Sequence, residues 1–264
     1  MLYVIYIRMK PIIPLHERSD EPLDTENIIN HPDMVRANEW FVTEYIPPVR
    51  DICIFVPCSK KKPYHTSPSH KMFDSIIFSC LKPEDVHIVT FGTCGVTPRE
   101  FDEQYPFADY SFMMGKCNVS KIKSDFLRVE TKRLVSYLKY TENNYKKRIA
   151  YCIGDFREAM IRASEKSGIF VKIVPLDETV ECNLQPNKKF IYNSLSCEPY
   201  KKDFKNAILK IKNELKSEDT DESETDELKN NTCNSNNKKN EKSDKKSSKK
   251  SNKKSDIDIE WFEV

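Results

Sequence analysis

The chain predicts an α/β fold: a three-layer sandwich with a mainly parallel sheet covered by helices on both faces. Two observations carry this. Short apolar, β-branched runs at 52–56, 86–90, 148–153 and 170–174 are separated by segments with helical spacing. Strands buried on both faces read as continuous apolar runs, and strands that alternate with helices are joined by crossovers into a parallel sheet.

The elements follow in order. Residues 1–30 form an N-terminal extension. Its first eight residues, Met1 to Arg8, are apolar but too short to span a membrane and lack the basic start of a signal peptide. They are either an extra strand or a leader before a start at Met9. Residues 31–45 read as a helix with Pro32 in its first turn and Pro47-Pro48 closing it. Strand 52–56 then leads through a loop, 57–70, into a helix at 70–81. Strand 86–90 runs into Gly92 and Gly95, which permit a tight loop. Thr97 reads as an N-cap, with Pro98 first in a helix and Glu100 three residues on. A long amphipathic helix at 124–142 presents Phe126, Val129, Leu134, Tyr137 and Leu138 on one side. Strand 148–153 turns at Gly154-Asp155 into helix 156–167, which Gly168 closes before strand 170–174. A last helix covers about 201–216, so the core domain is 31–216. No internal repeat is visible.

From 217 to 264 the composition changes. Seven acids crowd 218–227, and nine lysines face two acids across 238–254, a segregation hidden in the net charge of +2. Such a segment buries too little apolar surface to offset chain entropy and reads as a disordered tail. It either scans a polyanion or keeps the chain soluble. Its end, 256–264, alternates acids with apolar groups and has the pattern of a strand or short helix added to a partner.

Nine cysteines do not make a disulfide scaffold here. The count is odd, and Cys53 and Cys152 fall inside apparent core strands. No CxxC occurs, so neither a zinc ribbon nor a redox motif is supported. Reduced thiols in a cytoplasmic protein are expected.

The chemistry concentrates in Pro57-Cys58-Ser59-Lys60-Lys61-Lys62-Pro63-Tyr64-His65-Thr66-Ser67-Pro68-Ser69-His70. This is a strand-to-helix loop at the carboxyl end of a strand, where open α/β sheets place ligands. Cys58 is either a buried small residue or, beside cations, a thiolate nucleophile. His70 is either a polar helix-start residue or a general acid/base. Lys62 has three readings: a phosphate contact, a carboxylate partner or a solvated charge. Tyr64, Ser59 and Ser67 orient a substrate or satisfy the loop's backbone. Cys58, His65, His70 and Cys94 together match no familiar zinc spacing. Arg99 at the second helix start holds a phosphate or base edge, with Glu100 as a carboxylate partner or capping acid. Tyr105 and Tyr110 are a stacking face or core, and Asp155 is a helix cap or a site carboxylate.

The spacing Pro57-Cys58-x3-Lys62-Pro63-Tyr64-x2-Ser67-x2-His70 resembles the hallmark of the archaeosine synthase core domain (the DUF5591 type), a family related to tRNA-guanine transglycosylases. Gly95-Val96-x-Pro98-Arg99-Glu100 and Tyr105-Pro106 resemble its second block, and the likeness runs from about 31 to 215. The resemblance implies a uracil-DNA-glycosylase-like core. It also implies an archaeal tRNA-modifying transferase, with tRNA as partner, that adds an amine to the nitrile of 7-cyano-7-deazaguanine in the D-loop. The amine is usually given as free lysine, a radical-SAM partner then releases the amidine, and older names call the enzyme an amidinotransferase. In this reading Cys58, His70 and Lys62 are catalytic, and Tyr64, Ser67, Ser59, Arg99, Glu100 and Asp155 bind substrate, with no metal and no cofactor. Two departures stand out. The transglycosylase-like region and the PUA domain of full-length members are missing, and Gly115-Lys116-Cys117 replaces a Gly-x-Trp. A non-catalytic tRNA-binding or scaffold subunit, completed by a separate transglycosylase-like or PUA-containing protein, is the alternative.

Overall fold

In a computed structural model, which describes residues 10–183 and 194–233, the strands are β1 (Arg50–Pro57), β2 (Val86–Gly92), β3 (Gly95–Pro98), β4 (Tyr145–Tyr151) and β5 (Lys172–Val174). They form one sheet in the order β3-β2-β1-β4-β5. β1 pairs in parallel with β2 and β4, and β4 with β5; only β3 runs antiparallel, against β2. The helices are α1 (Pro32–Trp40), α2 (Pro68–Phe78), α3 (Ser120–Tyr140), α4 (Gly154–Ser167), α5 (Asp177–Asn183) and α6 (Glu198–Cys233).

The pleat of β1 sorts its apolar run onto two cores. Cys53 and Phe55 pack with Met34 of α1 and Phe41 just after it, Phe126 and Leu134 of α3, and Met160 of α4. Ile52, Ile54 and Val56 pack with Phe73 and Ile77 of α2 and with Phe204 and Ile208 of α6. The α/β sheet flanked by helices on both faces is therefore as expected. α2 crosses from β1 to β2 on one face, and α4 crosses from β4 to β5 on the other. The crossovers leave β1 and β4 in opposite directions, which opens a crevice at the carboxyl ends of these neighbours.

Several expectations are corrected. Thr97 caps no helix: it lies buried in β3, paired with Thr90. After it, Arg99–Phe101 is only a 3-10 turn. The cause is tertiary. Asn38 of α1 donates to the Cys94 carbonyl (2.8 Å) and accepts from the Val96 amide (2.9 Å), which holds residues 94–96 as a hairpin. Pro98 is tolerated because β3 is an edge strand. Phe170, 77% exposed, precedes β5 rather than starting it. α3 begins at Ser120, before the expected start at 124. The last helix runs to Cys233 instead of ending near 216, since no proline or glycine interrupts the chain after Pro199. The N-terminal extension is partly core, with Ile13, Ile28 and Ile29 buried.

The chain divides into two units, Met1–Ser217 and Glu218–Val264. The N-terminal run read as an extra strand or as a leader before Met9, the lysine-rich block and the 256–264 ending lie outside the described residues. Among the described residues no helix is long and apolar enough to cross a membrane, and the cysteines there are free thiols, with Cys53, Cys80, Cys94 and Cys152 buried.

Candidate active site

The end of β1 holds the thiol rigidly. The Cys58 amide donates to the Phe91 carbonyl at 2.9 Å, which extends the parallel ladder one residue past Pro57. Cys58 is half-buried, and its Sγ lies 3.6 Å from the Thr93 hydroxyl in the β2–β3 turn. That hydroxyl accepts from the Met114 amide at 3.2 Å, so its own proton is free for the sulfur. Gly92 (φ +140°) makes room: a Cβ there would stand 2.9 Å from Cys58 Sγ and 2.9 Å from the Phe156 ring.

Lys62 folds back over this loop. Its Nζ donates to the Ser59 carbonyl at 2.5 Å and sits 3.9 Å above the centre of the Tyr110 ring. Burial pulls its pKa down, and the nearby Cys58 and Cys94 oppose that pull. The Tyr64 and Tyr110 hydroxyls meet at 2.9 Å, and burial pushes both phenols well above their usual range.

His70 does not face the thiol's surroundings as a free acid/base. It is fully buried; its Nε2 donates to the Pro57 carbonyl at 3.0 Å, and its Nδ1 accepts from Arg99 Nη2 at 3.1 Å. Burial, aided by the Arg99 charge, holds its pKa down to about 3. The imidazole is thus neutral, with no nitrogen left for a substrate. Arg99 is engaged with Asp74 of α2 through two hydrogen bonds of 2.9 and 3.0 Å, a fork geometry that leaves little for a phosphate.

The other expected binders also build the loop. Ser67 accepts from the His70 amide at 3.2 Å and caps α2, and the Ser59 hydroxyl donates to the Lys61 carbonyl at 2.8 Å. Tyr64 is buried and stacked on His70, with ring centres 5.6 Å apart. Glu100 lies apart from the thiol. It accepts from Tyr45 and, at 3.1 Å, from His87, which pairs with Cys53, five residues down β1 from Cys58. Burial would raise its pKa, but the His87 and Tyr45 hydrogen bonds outweigh that and lower it. Tyr105 donates to Asp33, and the Arg18 guanidinium covers one face of its ring. Asp155 does reach the crevice edge, in the first turn of α4 next to Phe156, and pairs with Lys123 at 3.4 Å.

Three groups carry no sequence signal for the site. Thr93 is one. Glu130 of α3 is the second: its Oε1 accepts from the Gly92 amide at 3.0 Å, while Oε2 is buried without a partner. Burial pushes its pKa up to about 8, so the carboxyl beneath the thiol's neighbour is largely protonated at neutral pH. The third is a dyad in which buried Asp102 accepts from the His65 amide (2.9 Å) and from Nδ1 (2.9 Å), fixing the imidazole of a half-exposed loop residue. Among the described residues no three potential ligands converge to hold a metal ion. Two surface cavities, about 490 Å³ between α3 and α4 and about 680 Å³ against α2 and α6, are lined by residues outside loop 57–70.

Residues 35–189 match the family model described as domain of unknown function DUF5591. Archaeosine synthase subunit alpha of Methanosarcina acetivorans is 29% identical over 215 residues, which cover 77% of this chain and 33% of that protein. The subunit of the same name from Thermoplasma acidophilum is 34% identical over 79 residues, 30% of this chain and 15% of its own. This chain thus spans about a third of the first relative's length. A solved protein of unknown function overlays with a TM-score of 0.43 at 16% identity, covering 65% of this chain and 48% of its own. By the family match and the Cys58 loop inside it, the chain belongs to the DUF5591 family, the domain that it shares with one part of archaeosine synthase alpha subunits.

Proposed function

We propose that this chain performs the amine-to-nitrile step of archaeosine formation on tRNA, with Cys58 as the nucleophile. The carrying observation is a half-buried thiol on the last rung of a central strand, beside the Thr93 hydroxyl, at the sheet's topological switch point. The similarity to archaeosine synthase alpha subunits supports the choice of substrate. A uracil-DNA-glycosylase-like topology is part of the same proposal.

The chemistry balances without an oxidant or cofactor. The Cys58 thiolate adds to the nitrile carbon, a C–S bond forms, and the nitrile nitrogen takes up a proton to give a thioimidate. The amine, free lysine in the leading version, attacks the same carbon. The C–S bond then breaks, the thiolate leaves with the electron pair, and the amine's proton goes to solvent or a nearby base. Lys62 supplies positive charge close to the sulfur, and Thr93 steadies the thiolate with a hydrogen bond. His70 is a positioning residue that anchors the loop to Pro57. Ser59, Tyr64, Ser67 and Arg99 act through the loop, Asp155 faces the substrate, and Glu100 has no part in binding.

Mass spectrometry of the full chain mixed with 7-cyano-7-deazaguanine, or with tRNA carrying it, tests the reading. The expected result is a protein adduct lost in Cys58→Ala, and a lysine-substituted base in tRNA when lysine is added. A product without any adduct would leave direct amine attack. Neither product nor adduct, alone or with a radical-SAM and a PUA-containing partner protein, would overturn the catalytic reading in favour of a scaffold.

A further inference from the structure

We infer that the trough between α3 and α4 is the track for an RNA phosphodiester backbone leading to Cys58. Choosing RNA rests on the function proposed above; the trough itself rests on its own geometry. Its α3 wall carries Lys123 and Arg128, and its α4 wall carries Arg162 and Lys166, around a volume of about 490 Å³. The remaining lining is Ser120, Ser124, Leu127 and Thr131, so a single apolar residue and no acid faces the space. A cationic, hydroxyl-bearing trough fits a linear polyanion, whereas a protein helix would need an apolar floor.

The direction of the trough links it to the thiol. α3 and α4 both begin at the carboxyl edge of the sheet and pack side by side, with Lys123 bridged to Asp155 in the first turn of α4. The next residue, Phe156, packs against Gly92 in the wall beside Cys58. From Ser120 to Thr131 the α3 wall extends about 16 Å at the α-helical rise, enough to follow several backbone atoms of one strand. No acidic residue caps the first turn of α3, and its N-cap, Val119, offers no side-chain hydrogen bond. The amides at the upper end of the trough thus add to its positive field.

Existing ion pairs do not block this use. Arg128 pairs with Asp125 at 3.5 Å and Arg162 with Glu158 at 2.7 Å, and these side chains are 69% and 46% exposed. Exposed pairs of this kind are weak enough for the guanidinium to swing to a phosphate. Lys166 is exposed and forms no ion pair among the described residues.

The test measures binding of an unmodified tRNA transcript to the full chain by fluorescence anisotropy across a salt series. With Arg162→Ala/Lys166→Ala the salt slope should fall by about 1.4, two contacts at about 0.7 each for single-stranded RNA, with weaker binding at every salt concentration. The charge-preserving Arg162→Lys/Lys166→Arg should bind like wild type, which separates lost charge from lost structure. An alanine pair with the wild-type slope and affinity overturns the trough while leaving the proposed function standing. No RNA binding by wild type at low salt also overturns the trough, whereas the proposed function stands or falls on its own adduct and product. Competition by polyglutamate as strong as by RNA assigns the trough to acidic protein and overturns it as an RNA track.

Discussion

His70 offers the sharpest quantitative test of the site, because its two possible roles have opposite pH signatures. Buried between the Pro57 carbonyl and Arg99, its imidazole stays neutral, with a pKa held down to about 3 from an ordinary 6.5. Above pH 6.5 both folded and unfolded chains carry a neutral ring, and its contribution to stability is complete. Below pH 6.5 the unfolded chain takes up a proton that the folded chain refuses, and stability drains away until the pH approaches 3. At 1.36 kcal/mol per pKa unit, the loss between pH 7 and pH 5 is roughly 2 kcal/mol, rising to about 4 kcal/mol at pH 3. His70→Gln removes the titration while its amide nitrogen can still donate to the Pro57 carbonyl. Urea unfolding at pH 7 and pH 5 should show the variant losing about 2 kcal/mol less than wild type across that interval. Equal losses would mean that His70 titrates normally in the folded chain. It would then be open to solvent and available as a proton shuttle, and the anchoring role would be wrong.

Three other outcomes follow from the same geometry. Gly92→Ala, at φ +140° with a Cβ 2.9 Å from Cys58 Sγ, should cost about 1–3 kcal/mol and slow iodoacetamide modification of Cys58 followed by mass spectrometry; an unchanged rate would deny the close approach. Arg99→Ala leaves the Asp74 carboxylate unpaired and should destabilise by about 1–3 kcal/mol without altering the salt slope of tRNA binding; a slope lowered by about 1 would return Arg99 to phosphate binding. Glu130, whose pKa is raised from 4.5 to about 8, contributes stability that is complete below pH 4.5 and is lost as the pH rises through 8. Glu130→Gln retains an acceptor for the Gly92 amide. It should therefore escape roughly 2–3 kcal/mol of the wild-type loss between pH 6 and pH 9, and parallel wild-type and variant curves in urea unfolding would show Glu130 ionising as an exposed acid does.

The parts of the fold that depend on local pattern were legible. The apolar runs of β1, β2 and β4 announce central strands, and Gly168 ends α4 in the left-handed conformation (φ +75°) that the sequence implies. β3 was not legible, because its four residues are held by Asn38, 56 and 58 positions away in sequence from the backbone groups that it bonds. Pro98 then reads locally as a helix start, although it ends an edge strand. In the site, Cys58 and Lys62 stand together as expected, since both belong to one loop. Thr93 and Glu130 reach the site only through the β2–β3 turn and the packing of α3, and no spacing in the chain encodes that meeting.

The loop's composition has a physical explanation once its partners are known. A nucleophile must be held to within a fraction of an ångström, and ordering each loop residue costs about 1–2 kcal/mol in backbone entropy. Ser59, Lys62, Thr66, Ser67 and His70 each bond to the loop's own backbone, and Asp102 fastens it from outside at His65. Most of the polar groups that make 57–70 look like a crowded catalytic centre are therefore satisfied by the loop itself. The Cys58 amide continues the sheet, and its sulfur has only the Thr93 hydroxyl within hydrogen-bonding reach among the described residues. A loop that engages Ser59, Lys62, Ser67 and His70 in its own backbone leaves the Cys58 thiol as the candidate reacting atom. Under the proposed function Cys58 is thus the reacting residue, and the other loop positions act on its placement.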